Sequence, residues 1–332
     1  MKNFQGYGGF CFVGDPHVWS KNPGTRIDKN YKNVCLDKIN QAVNIALEKN
    51  LYLIFLGDLF HSDKENDIDL ITKLTRILKR LRHPPLTVEG NHEKSQTRIS
   101  DDVALCLMKE AETIYVAEKS GIWGVFNICG ESILIGSTPY GETIPQEVKK
   151  PDKLNSSFVF WLTHHDLDFG DTYPGVVPIH EIKNVNILIN GHIHKTKPQR
   201  KVGNMLAFNP GNIMRLSKDC RNHVPSVWLW TPEFKDDLIQ HTLTYEKNVF
   251  KEDVQEVQLS DSGLLLGDTI SEYQTSRFVQ EMEKSTLLTD HNKTDDGAYI
   301  KASIISLCKA LEVGNEFTNN LLEIAQEVIE EE

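Results

Sequence analysis

The sequence predicts a layered α/β fold in which two β-sheets pack together, and three observations carry that expectation. Short apolar runs recur as far as residue 231, most of them apolar at every position, as in strands covered on both faces. Two stretches between the first three runs place apolar residues at helical spacing. Strand–helix alternation then gives way to a strand-rich half, the order expected when helices flank a pair of stacked sheets.

Taken in order, the expected strands are FCFVG (10–14), LYLIFLG (51–57), PLTVEG (85–90), ESILIGS (131–137), SFVFWLT (157–163), VNILING (185–191), MLAFNPG (205–211) and VPSVWLWT (224–231). Residues 33–49 read as a helix whose stripe is Ile39, Ala42, Val43, Ala46 and Leu47. Residues 67–82 read as a second, with Leu70, Ile71, Leu74, Ile77, Leu78 and Leu81. The character changes after Glu233: residues 235–296 are charged and hydroxyl-rich with weak periodicity, and two helical segments follow at 298–311 and 316–331. The expected organisation is a core over 1–234, a linker or reduced capping region over 235–296, and a helical pair over 297–332.

With 332 residues, 39% of them hydrophobic and 25% charged, the chain is long enough to bury a core without cross-links. No apolar run approaches the roughly 20 residues that span a bilayer, and the N-terminus runs straight into a strand without a signal-peptide pattern. The expectation is a cytoplasmic protein with no membrane partner; for a phage-encoded chain that is the host cytoplasm. Cys11, Cys35, Cys106, Cys129, Cys220 and Cys308 form no CxxC pair, which excludes a thiolate zinc ribbon. The net charge of −11 provides no global basic field for nucleic acid, so any such attraction must be local.

Five strand ends carry His, Asp and Asn: Gly14-Asp15-Pro16-His17, Gly57-Asp58-Leu59-Phe60-His61, Gly90-Asn91-His92-Glu93, Thr163-His164-His165-Asp166 and Gly191-His192-Ile193-His194. Seven of the twelve histidines fall in these windows, so they are placed rather than scattered. Ligands of α/β sheets sit beyond the carboxyl ends of strands, where such loops converge. Carboxylate, amide oxygen and imidazole without thiolate suit a pair of borderline or hard divalent ions. Two such ions, about 3.5–4 Å apart, clamp a phosphate for in-line displacement.

These blocks resemble the signature of the calcineurin-like metallophosphoesterase superfamily: D-x-H, G-D, G-N-H-[ED], H and G-H-x-H in that order, over about residues 8–215. The resemblance implies a four-layer α/β/β/α sandwich, here with a C-terminal helical extension. It implies that Asp15, His17 and His194 hold one metal, that Asn91, His164 and His192 hold the other, and that Asp58 bridges them with one oxygen to each. His164 is taken over His165 because the strand aims at the first residue beyond it. His92 resembles the family's general acid. The ions implied are most often Mn2+, with Mg2+, Fe2+ or Zn2+ as alternatives.

Within the superfamily, His61 in GDLFH resembles the SbcD-type recombination and repair nucleases, phage versions included, where this His contacts the scissile phosphate or its leaving strand. That resemblance implies a DNA exo- or endonuclease and an SMC-like coiled-coil ATPase partner of the SbcC type, docked by the C-terminal helices; homodimerisation is left open. The plainer alternatives are a packed loop histidine at 61, terminal helices that fold back on their own core, and a phosphoesterase for small diesters, monoesters or nucleotides. A compact capping domain is not recognisable in 235–296. Lys195 after GHIH, Arg215 after Asn209-Pro210-Gly211-Asn212, and Tyr140 in STPYGE are candidate substrate contacts, each with a structural alternative. Lys195 belongs to a basic group with Lys197, Arg200 and Lys201 that suits flanking phosphates. Tyr140, and Trp19 beside the first motif, suit a base-stacking platform or a packed aromatic.

Overall fold

The computed structural model describes residues 1–94, 100–151, 156–170, 175–217, 220–235 and 237–250; the expected helical pair and most of the expected linker lie outside these residues. The first half alternates: β1 (Lys2–Gln5), β2 (Gly9–Val13), α1 (Tyr31–Glu48), β3 (Leu51–Phe55), α2 (Ile68–Leu78), β4 (Leu86–Val88), α3 (Ala104–Glu110) and β5 (Tyr115–Ala117). The second half is strand: β6 (Gly121–Ile128), β7 (Glu131–Thr138), β8 (Ser156–Thr163), β9 (Leu167–Asp168), β10 (Val177–Pro178), β11 (Ile187–Asn190), β12 (Lys197–Val202), β13 (Met205–Asn209), β14 (Ser226–Trp230) and β15 (Ile239–Thr242).

Two sheets result. One has the order β1-β6-β7-β8-β11-β13-β12, the other β15-β14-β2-β3-β4-β5, and β9 with β10 makes a small ribbon. β2, β3, β4 and β5 run parallel, as do β7, β8, β11 and β13, so the carboxyl ends within each set share one side. Strand alternation explains the layers. Phe10 and Phe12 of β2 and Tyr52 and Ile54 of β3 face Phe126, Ile133, Ile135, Phe160, Leu162, Ile187, Ile189 and Phe208 of the other sheet, forming the core between them. Cys11, Val13, Leu51, Leu53 and Phe55 point the opposite way, against α1, α2 and α3. Asp67 caps α2, its carboxylate accepting from Leu70 N at 2.7 Å.

The mixed α/β sandwich is as expected, with helices against the six-stranded sheet and irregular segments against the other. Among the described residues no helix covers the outer face of the seven-stranded sheet. Leu134, Val159, Trp161 and Leu188 are buried there by Ile144, Val148, Leu167, Phe169, Ile182 and Val185 from the segments after β7 and β8. The six-stranded sheet also continues past residue 234. β15 pairs with β14, and Leu243, Val249 and Phe250 are buried beyond it. Charged and apolar residues mix too irregularly there for periodicity to show a strand. All eight expected strands and both expected helices of the core are present. The edge strand β12 (KPQRKV) has no signal in the sequence, because its charges deny it an apolar pattern while protecting the edge from foreign pairing. No helix among the described residues is long and apolar enough to cross a membrane.

Candidate metal centre

The loops leaving β2, β3, β4, β8 and β11 converge at one side of the sheets, and glycines in these motifs explain how they come so close. Gly57 has φ +106°, and a Cβ there would lie 2.2 Å from His164 Nδ1. A Cβ on Gly90 would lie 2.2 Å from Asp58 Oδ1. Side chains from distant loops thus occupy the volume that any other residue would fill. Left-handed backbone recurs at Asp15 (φ 29°), His17 (41°), Asp58 (46°) and His192 (71°). Strain of this kind persists where surrounding structure fixes it, and here it turns four polar side chains inward.

Asp58 stands at the middle. Its Oδ2 lies 3.7 Å from His17 Nε2 and 3.2 Å from His164 Nε2, while Oδ1 accepts the His92 backbone N–H at 3.0 Å. Oδ2 thus faces both histidines, while Oδ1 also accepts a backbone N–H. On one side His17 Nε2 is 2.8 Å from His194 Nε2. On the other, Asn91 Oδ1 is 3.2 Å from His164 Nε2 and 3.0 Å from His192 Nδ1. Asp15 Oδ1 accepts from the His192 backbone at 3.1 Å and lies 3.6 Å from His164 Nδ1. Ligand-type atoms of Asp58, His164 and His192 all lie within 4.8 Å of one another, as do those of His17, His61 and His92.

Carbonyl oxygens only accept, so they fix the ring tautomers. His164 donates from Nδ1 to Leu56 O at 2.7 Å, leaving Nε2 to face Asp58. His92 donates from Nδ1 to His61 O at 2.6 Å, leaving Nε2 for other work. His165 donates from Nε2 to Glu142 O at 2.8 Å and so turns away from the cluster that His164 enters. Burial drives His17 well below the usual imidazole value, and burial with the charge of His164 drives His192 to about 4, so both present free lone pairs at neutral pH. His164 goes the other way: burial disfavours its proton, but the carboxylates of Asp58 and Asp15 outweigh that and raise it to about 10. Burial raises Asp15 to about 7, opposed by His164.

Of the other candidates, His61 and His92 are brought in, their rings stacked 5.3 Å apart. Lys195 is exposed and lines a cavity of about 410 Å3 with Asp166, His192 and His194. Tyr140 lies 5.6 Å from His192, ring to ring. Arg215 is a correction. Its guanidinium is buried and donates to the carbonyls of Cys220, Arg221, Glu246 and Lys247, so it anchors backbone and is not offered to a substrate.

Supports from Glu93, Asn190 and Asn209 go beyond what sequence reasoning assigned. Buried Glu93 accepts from the backbone N–H groups of Asp58, Leu59 and Gly90, which locks two motif loops together. Asn190 donates to His165 O, and its Oδ1 accepts from the His165 N–H; Asn209 donates to Ile193 O and Lys195 O and so braces the GHIH loop. Trp19 lies 4.4 Å from His61, ring to ring. The amides that end β11 and β13 were visible in the sequence, but not what they would touch.

These residues fit a pair of divalent cations. Asp15 Oδ2 is buried without a hydrogen-bond partner, the His17 and His194 nitrogens point at each other, and the donor set is carboxylate, amide oxygen and imidazole. Nothing in the geometry selects one metal. Among curated proteins none matches the chain. Solved structures that match include a 5′-nucleotidase precursor from Thermus thermophilus, at 13% identity and TM-score 0.41, covering 76% of this chain and 57% of that one. Another is the NAD nucleotidase of Haemophilus influenzae, at 13% identity and TM-score 0.39, covering 83% of this chain and 60% of that one. The chain thus spans less than two thirds of the length of either. The calcineurin-like phosphoesterase family matches residues 9–196, more than half of the 332. With its five motif loops gathered around Asp58, the chain belongs to that family, whose members are metal-dependent hydrolases of phosphate esters.

Proposed function

We propose that the protein hydrolyses phosphodiesters of DNA, as the nuclease subunit of an SbcCD-like recombination and repair complex. Asp15, His17 and His194 would hold one cation and Asn91, His164 and His192 the other, with Asp58 between the two sets. Bound divalent cations, Mn2+ by this reading, supply Lewis-acid polarisation of the phosphoryl oxygens. The chain's own residues do the rest. His92 donates from Nδ1 to His61 O and presents Nε2; in its doubly protonated form it would give the Nε2 proton to the departing oxygen and keep the Nδ1–H on that carbonyl. His61, stacked on His92, would contact the leaving strand, and exposed Lys195 suits a flanking phosphate.

The observation that supports a diester most directly is the His61–His92 pair: a second imidazole beside the proton donor suits a leaving group that is itself a nucleoside. A second reading, hydrolysis of nucleotides or other small phosphoesters, is favoured by the net charge of −11, which repels a polyanion. The test is a Mn-loaded assay of linear duplex DNA, single-stranded DNA and nucleoside monophosphates, with His92→Ala alongside. The expected outcome is cleavage of DNA by the wild type, and an intact metal content with turnover abolished in the variant. Hydrolysis of monophosphates alone would establish the second reading, and loss of metal from His92→Ala would overturn its role as proton donor.

A further inference from the structure

We infer that Trp19 and Tyr140 are stacking walls at opposite ends of the paired centre, selecting a phosphodiester with a nucleobase on each side of the scissile phosphorus, as in single-stranded nucleic acid. The inference rests on the diesterase reading above and adds to it what the enzyme recognises.

The two rings bracket the centre. Trp19 lies 4.4 Å from His61 and His61 lies 5.4 Å from His17, whose Nε2 is 3.7 Å from Asp58. From Asp58 it is 3.2 Å to His164, whose ring is 5.2 Å from His192, and His192 is 5.6 Å from Tyr140. One aromatic thus closes the His17 half and the other closes the His164 half.

Tyr140 is held by its backbone, whereas Trp19 is half-buried with its side chain packed in part against the helix-side core. Tyr140 N donates to Glu89 O at 3.0 Å, and Lys94 Nζ donates to Tyr140 O at 2.6 Å. Glu89 and Lys94 are 3.6 Å apart and flank Asn91 and His92 in the chain, so Tyr140 is fixed to the very loop that supplies them. Tyr140 nevertheless remains 36% exposed, so its ring is open to a ligand. At the other end Val18 N donates to Leu59 O at 2.8 Å and His61 N donates to Val18 O at 3.0 Å, which fixes the half-buried Trp19 against the second motif.

Two walls matter only for a diester. A monoester carries a substituent on one side of phosphorus, and the far wall would do nothing for it. Stacking also needs no basic field, because every base offers a π face. It therefore allows a chain with a net charge of −11 to hold a nucleic acid locally.

The test uses the Mn-loaded full chain and the dinucleoside phosphate dTpdT, beside two analogues in which one or the other nucleoside is abasic. In the wild type, kcat/KM for dTpdT is expected to exceed each analogue by about 5- to 150-fold, the range that base–aromatic stacking supplies. Tyr140→Ala should bring this ratio to near one for the base on one side only, and Trp19→Ala for the base on the other. Tyr140→Phe and Trp19→Phe should keep both ratios. Trp19→Leu, which fills the core without a π face, replaces Trp19→Ala should that variant not fold. A wild-type ratio near one with dTpdT still cleaved overturns this inference alone, as does a variant that slows all three substrates in proportion. Loss of the same side in both variants does so too. If the wild type cleaves no dinucleoside phosphate yet hydrolyses a nucleoside monophosphate, the diesterase reading falls and this inference with it.

Discussion

At the scale of the residue, the centre is a contest between protons and cations for the same lone pairs. His164 is buried beside Asp58 and Asp15, and a proton on its Nε2 stands where positive charge is wanted. The two carboxylates raise it to about 10 against the cost of burial. A cation that binds there must displace this proton. The sign follows: lowering pH adds the competitor, so metal affinity should rise with pH from about 6 to 8 and loading should release protons. Calorimetric titration of Mn2+ in buffers of different ionisation enthalpy measures both. An affinity flat across that range, with no protons released, would contradict the placing of a ligand at His164. His17 and His192, already neutral at these pH values, should add nothing to the slope.

At the scale of the element, the segment beyond β14 is stapled to the core by cationic side chains that grip backbone carbonyls. Lys38 of α1 donates to Thr244 O and Arg215 reaches both Glu246 O and Lys247 O, while Arg26 Nη1 donates to Arg215 O and steadies that anchor. Because carbonyls are common to every residue, this anchoring is indifferent to which side chains the segment carries. That is how a stretch without apolar periodicity is ordered. Arg215→Ala should cost about 2–4 kcal/mol, since several buried carbonyls lose a charged donor at once. Arg215→Lys should recover little, because an ammonium cannot reproduce the fork. Urea denaturation reads the loss, and KM for a diester should stay near the wild-type value. A large rise in KM without destabilisation would return Arg215 to the substrate.

At the scale of the whole molecule, the proposed function divides into two tasks. The motif loops all leave strands of the sandwich, so the proposed hydrolysis of simple diesters would need only residues that end at 250 or before. The proposed docking of an SMC-like coiled-coil ATPase belongs to the apolar stripes at 298–311 and 316–331. Deleting residues 298–332 should spare Mn-dependent cleavage of model substrates and break co-purification with such an ATPase. A truncated chain that fails to fold would instead assign these helices to the core.

The sequence by itself determined the two stacked sheets, the helices on one of them, and the five places where chemistry gathers. Continuous apolar runs bounded by turns make buried strands, and His, Asp and Asn immediately beyond them have nowhere to go but the shared rim. It determined much less about strands such as β12 and β15, whose exposed residues follow no pattern because packing does not constrain them. Only the tertiary structure decided which of His164 and His165 turns inward, since that depends on whether a carbonyl of β3's loop or of Glu142 lies within reach. Only it moved Arg215 from crevice to anchor and set Glu93 across two loops. Partners far apart in the chain are chosen by distance in space, and spacing along the sequence does not encode that distance.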